Sequence, residues 1–168
     1  MVAAALDLVA GVDLGRSAAR VLDEWEALQP SLLTLLPDTY TTAFALPHLD
    51  RFARWPGVRL DSGDPIAGGE RVLDWWRRNG EDPTQHSLVF SDALDLRDMS
   101  VLHDAFGARA RVTFGWGTNL TNDLGFEPLS LVVKPDAVDG IPCVKLSDDL
   151  AKATGPRDEI ERYKRLVR

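Results

Sequence analysis

Four short apolar stretches of this chain each run into a cluster of carboxylates, hydroxyls or glycines. Leu32 to Leu36 leads into Pro37-Asp38-Thr39-Tyr40, and Val58-Arg59-Leu60 leads into Asp61-Ser62-Gly63-Asp64. Leu88-Val89-Phe90 leads into Ser91-Asp92, and Val112-Thr113-Phe114 leads into Gly115-Trp116-Gly117-Thr118-Asn119. Arg59, polar inside an apolar run, can clamp a carboxylate or phosphate through two parallel N–H donors. Asp61 can hold sugar hydroxyls, directly or through Mg²⁺. Gly115 and Gly117 let backbone N–H groups approach a phosphate closely, and Thr118 can add a hydroxyl donor. Each cluster also has a plainer reading. Asp64 before Pro65 suits a helix cap, Asp95 suits another, and a lone Gly-x-Gly makes a tight turn.

The clusters recur about one βα unit apart. In a parallel sheet or a (β/α) barrel the carboxyl ends of the strands share one rim, so four separate stretches converge on one site. The intervening segments read as helices. Val21, Leu22, Trp25 and Leu28 recur at helical spacing. Thr41 to Phe52 reads as a second helix, which Pro47 bends or shortens. Ile66 to Arg78, with Pro65 at its start, buries Ile66, Val72, Leu73 and Trp76. Leu96 to Phe106 buries Leu96, Met99, Leu102 and Phe106, and Gly107 follows as its C′ residue.

Beyond Gly117 the pattern changes. Leu129 to Lys134 and Ile141 to Leu146 read as an antiparallel hairpin with Asp139-Gly140 in its turn. From Arg157 the tail is helical, with Ile160, Tyr163, Leu166 and Val167 on one face. Asp158 with Arg162, and Glu161 with Arg165, form pairs four residues apart. A complete eight-stranded barrel takes about 250 residues. These 168 residues supply about four βα units and a hairpin, either a small open α/β domain or part of a barrel.

The net charge of −7 argues against broad contact with nucleic acid or an anionic membrane surface. The apolar opening Met1 to Leu6 is too short for a membrane span and reads as a helix end or a core contact. Cys143 is the single cysteine, which excludes an internal disulfide and points to a reducing cytoplasm. His48, His86 and His103 lack metal-ligand spacing and read as structural or exposed. Trp75-Trp76 reads as packing, and Asp148-Asp149 as a solvated loop.

Taken in order, these motifs resemble the nicotinate phosphoribosyltransferase family of type II phosphoribosyltransferases. The stretches that carry the resemblance are 35–40, 59–64, 88–95, 114–123, 128–134 and 144–148, so it spans nearly the whole chain. The resemblance implies an enzyme of NAD salvage. It would join nicotinate to phosphoribosyl pyrophosphate, with Mg²⁺ and with ATP coupled through a phosphorylated histidine. It implies that Arg59 meets the nicotinate and ribose region, and that Asp38 and Asp61 are ribose-side carboxylates. Ser91 and Asp92 would form a phosphate- and ribose-contacting turn, and Gly117 and Thr118 a 5′-phosphate loop. Ala93 stands where the family commonly has glycine.

The family's histidine loop, of Gly-Thr-x-x-His-Glu type, has no match here, and residues 1–6 resemble the helix that follows it. The resemblance therefore implies a C-terminal portion. Residues 1–126 would carry the βα units of an incomplete β/α barrel, and 127–168 the hairpin and terminal helix. Little turnover is expected from the chain alone. Association as a homodimer or with a separate N-terminal half is expected.

Overall fold

The computed structural model describes residues 14–117, 120, 125–127 and 131–167. Their order is α1 (Leu14–Leu28), β1 (Thr34–Leu35), α2 (Thr42–Ala45), β2 (Gly57–Leu60), α3 (Pro65–Arg78) and β3 (Ser87–Phe90). Then come α4 (Leu96–Phe106), β4 (Arg111–Phe114), β5 (Ala137–Val138), β6 (Ile141–Pro142) and α5 (Arg157–Leu166). Strands β1 to β4 form one parallel sheet in the order β1-β2-β3-β4. Val58 lies beside Leu88, which lies beside Val112, so the strands are nearly in step. All four carboxyl ends therefore open on one rim, as a β/α barrel segment requires.

Local chemistry sets the helix starts. Asp64 accepts from the N–H groups of Ile66 and Ala67 with Pro65 at the first helical position. Asp95 and Asp98 form a reciprocal capping box at α4. Helix α3 buries Val72, Leu73, Trp75 and Trp76 in the main core, together with Val58, Leu88, Phe90, Leu102 and Phe106. His86 is buried there too, its Nδ1 2.8 Å from the Trp55 carbonyl and its ring stacked on Trp76. A second, smaller core joins Tyr40 to Val144, Leu146 and Tyr163, with the two tyrosine rings stacked 5.9 Å apart.

Several details differ from the sequence expectations. The segment 41–52 is not one helix: a short α2 gives way to 3₁₀ turns at Leu46–His48 and Asp50–Phe52, because Pro47 cannot continue the α ladder. Ile66 and Leu96 are exposed, not buried. Gly107 has a right-handed φ of −60°, so it is the C-cap and not a left-handed C′ residue. In α5 the pairs are three residues apart, Arg162 with Glu159 and Lys164 with Glu161. The hairpin turns at Asp139-Gly140 with φ of 51° and 77°, as its mirror-image turn demands. Its strands are only two residues each. Leu131 to Lys134 forms no strand, and residues 128–130 and the opening 1–13 lie outside the described residues.

Candidate functional site

Arg59 and Asp61 leave β2 on the rim, and Ser91 leaves β3 beside them. The Arg59 Nη2 donates to Asp61 Oδ2 at 2.9 Å, and Ser91 Oγ donates to Asp61 Oδ1 at 2.7 Å. Ser91 is held in register by its own N–H, which donates to the Leu60 carbonyl at 3.0 Å. Gly115 at the end of β4 is needed for this packing: a Cβ there would sit 2.9 Å from the Ser91 Cβ. Gly117 has open space around it, and Thr118 lies outside the described residues. Asp92, next along, takes both oxygens to Lys152 Nζ at 2.7 and 2.8 Å.

Ala93 sits in the left-handed region with φ of 49°. That conformation favours glycine, because a Cβ crowds the following carbonyl. The backbone at the end of β3 therefore has the shape of a glycine turn with an alanine in it.

Asp38, at the end of β1, is only 2% exposed. Its Oδ2 accepts from Ser62 Oγ at 2.9 Å and pairs with Lys145 Nζ at 2.8 Å. Its Oδ1 is buried and has no hydrogen-bond partner among the described residues. Asp148 extends the same network: its N–H donates to Ser62 Oγ at 3.1 Å. Its carboxylate accepts from the Thr42 N–H at 2.6 Å and from the Thr42 hydroxyl. Gly63, with φ of 79°, makes room for this, since a Cβ would meet the Asp148 Cβ at 2.8 Å.

The structure thus brings Arg59, Asp61 and Ser91 into one bonded chain and sets Asp38, Asp92 and Gly117 at the ends of β1, β3 and β4. It corrects one expectation outright. Asp148 is no solvated loop residue but a pin between the C-terminal segment and two strand ends. Ser62, Thr42, Lys145 and Lys152 are functional candidates that motif reading passed over. For Lys145 a signal existed: like Arg59, it is a charge inside an apolar run, Cys143-Val144-Lys145-Leu146. His86 is fixed at the amino end of β3, away from the rim. His48 stacks on Phe44 beside α1, and His103 is exposed on α4.

Among the described residues the donor set does not form a protein-built metal cage. Both oxygens of Asp61 and of Asp92 are engaged by N–H or O–H donors. Among the described residues no three His, Cys, Asp or Glu side chains gather to hold an ion. Among them, too, no helix is long and apolar enough to cross a membrane.

Known proteins share this fold. A nicotinate phosphoribosyltransferase structure from Vibrio cholerae superposes with a TM-score of 0.86 at 31% identity, covering 95% of this chain and 41% of that one. One from Porphyromonas gingivalis gives 0.84 at 30% identity, covering 91% and 42%. The chain thus spans about two fifths of the length of these relatives. The model of the nicotinate phosphoribosyltransferase (NAPRTase) family matches residues 2–167, and the chain belongs to that family.

Proposed function

We propose that this chain supplies the phosphoribosyl-binding part of a nicotinate phosphoribosyltransferase. In that reaction nicotinate displaces pyrophosphate from phosphoribosyl pyrophosphate to give nicotinate mononucleotide. The observation that carries the reading is the Arg59–Asp61–Ser91 chain across the ends of β2 and β3, in a member of this family.

Each group has a physical task in it. Glycosyl transfer develops positive charge on the ribose, and carboxylates fixed beforehand stabilise that charge without reorganising. Asp61 is fixed on both oxygens, by Arg59 and by Ser91. Arg59 keeps further N–H donors for the pyridine carboxylate or a phosphate. Asp38 offers its one unpartnered oxygen to a ribose hydroxyl. We assign Ser91, Asp92 and Gly117 to the phosphate side, and Thr118 to it by resemblance alone. Mg²⁺ belongs to the proposal as the companion of pyrophosphate, since it is commonly held by substrate phosphates and few protein groups. ATP belongs to it through a phosphorylated histidine that is none of His48, His86 and His103, since these stand apart from the rim groups.

Calorimetric titration of the purified chain with phosphoribosyl pyrophosphate tests the site. Binding is expected, with about 2.7 kcal/mol of stabilisation at a hundredfold excess over the dissociation constant. Absence of binding would overturn the reading in favour of a non-catalytic module. Little turnover is expected from the chain alone, and nicotinate mononucleotide formed by it alone would overturn that part.

A second feature favours completion of the site by association. Strands β1 and β4 each pair on one side only among the described residues, and Leu131 and Val133 are 90% and 86% exposed. Open edges and apolar surface favour partners. We place there a second copy of the chain or the N-terminal part of the same fold. Restored activity on mixing this chain with a family N-terminal half is the expected result.

A further inference from the structure

Lys145 arrives at the rim from far along the chain, and its direction is set by its own backbone. Its N–H donates to the Thr154 carbonyl at 3.0 Å, and its carbonyl accepts from the Thr154 N–H at 2.8 Å. One residue on, the Leu146 N–H donates to the Thr39 carbonyl at 2.8 Å, beside Asp38. Val144 and Leu146 are fully buried in the small core with Tyr40 and Tyr163. Extended backbone alternates its side chains, so burying both neighbours sends Lys145 the other way, to the strand ends. There its Nζ meets Asp38 Oδ2 at 2.8 Å, with the lysine side chain only 18% exposed.

A buried carboxylate without a countercharge is strongly unfavourable. Ser62 alone supplies one neutral hydrogen bond to Asp38. Lys145 supplies the countercharge, and it does so on the oxygen that Ser62 also holds. The division of labour leaves Oδ1 buried, acceptor-only and unpartnered among the described residues. A buried acceptor without a donor is rare in a folded protein and marks a place for one.

We propose that Lys145 is a positioning residue of the ribosyl site. It holds Asp38 by one edge, at Oδ2, so that Oδ1 faces a hydroxyl donor of the phosphoribosyl ligand. The inference rests on the proposed function, and it adds the residue that makes Asp38 competent. A lysine that only held the C-terminal segment in place would be replaceable by any change that restored stability.

The test measures phosphoribosyl pyrophosphate affinity and melting temperature for the wild-type chain, Lys145→Met, Lys145→Arg and the double variant Asp38→Asn/Lys145→Met. Lys145→Met is expected to weaken affinity by about tenfold or more, as loss of a hydrogen bond to a charged group does. Lys145→Arg should recover most of it. The double variant, having no buried charge, should regain most of the melting temperature that Lys145→Met loses, and should still bind weakly. Weak binding by a folded Lys145→Met, recovered in Lys145→Arg, separates positioning from mere structure, and the double variant shows whether any loss of fold in Lys145→Met comes from the stranded carboxylate. Wild-type affinity in Lys145→Met, or in the double variant, would overturn the inference alone. No binding by the wild-type chain would overturn the functional reading and the inference with it.

Discussion

The C-terminal segment sends two lysines to two strand-end carboxylates, and the two pairs differ in everything but their chemistry. Lys145 and Asp38 meet at the end of β1 with side-chain exposures of 18% and 2%. Lys152 and Asp92 meet at the end of β3 with exposures of 48% and 32%. The first pair is embedded in a network of Ser62, Thr42 and Asp148, backed by the small tyrosine-lined core. Among the described residues the second has no further side-chain hydrogen bond, and it sits beside a left-handed Ala93. Solvent decides the energetic meaning of each. An exposed pair is screened and contributes little, whereas breaking a buried pair leaves a charge without water or partner. The pair at the end of β1 is therefore the more tightly held of the two.

The contrast predicts unequal costs. Lys145→Met should destabilise the chain by about 3–5 kcal/mol in urea unfolding, through the stranded Asp38 charge. Lys152→Met should cost under about 1 kcal/mol in the same assay. Equal losses would erase the distinction between the two pairs. Ala93→Gly sharpens it from the other direction. Relief of the left-handed conformation, about 1 kcal/mol, should raise the melting temperature by about 2–4 °C, partly offset by the flexibility of glycine when unfolded. A lower melting temperature would show that the methyl group contributes packing there. Salt should separate the pairs further. At about 1 M salt the small Lys152 contribution should vanish while that of Lys145 persists, because screening acts mainly on exposed charges.

The smallest effect concerns acid, away from the rim. The Arg109 guanidinium, bonded at 2.6 Å through two nitrogens, holds the Glu70 carboxyl below its usual range. The Asp98 backbone N–H does the same first for the Asp95 cap. A carboxylate with a lowered folded value stabilises above its unfolded value, near about 4, and loses that stabilisation as pH falls through the folded value. Asp95→Asn keeps an N-cap acceptor without a titrating group. It should flatten the fall in stability below about pH 4, with little change at neutral pH. An unchanged acid slope would mean that the cap does not govern it.

Much of the scaffold was legible because its rules act over a few residues. Pro65 after Asp64, and Asp95 three residues before Asp98, announce helix starts through bonds made within one turn. Asp139-Gly140 announces its turn through the backbone angles that it alone tolerates easily. The four apolar runs, each ending in polar residues, announced β1 to β4 and their common rim. Where the local reading failed, a distant surface had decided. Leu96 and Ile66 keep helical spacing yet stay exposed, since periodicity names a face but not whether anything described covers it. Leu131 to Lys134 is rich in strand formers yet has no strand partner among the described residues, and pairing needs a neighbour as well as a propensity.

By itself the sequence determined the four strands, the caps of α3 and α4, and the presence of Arg59, Asp61, Ser91 and Asp92 on one rim. Only the tertiary structure decided which groups those residues answer to. Thr42 and Asp148 stand 106 residues apart and share no spacing rule, yet they are bonded. Lys145 and Asp38 likewise meet only because Leu146 docks on Thr39 and Tyr163 stacks on Tyr40. Periodicity, capping and turn chemistry reach a few residues along the chain. The partners and the free oxygen of a buried carboxylate are set by whatever packing carries into its shell.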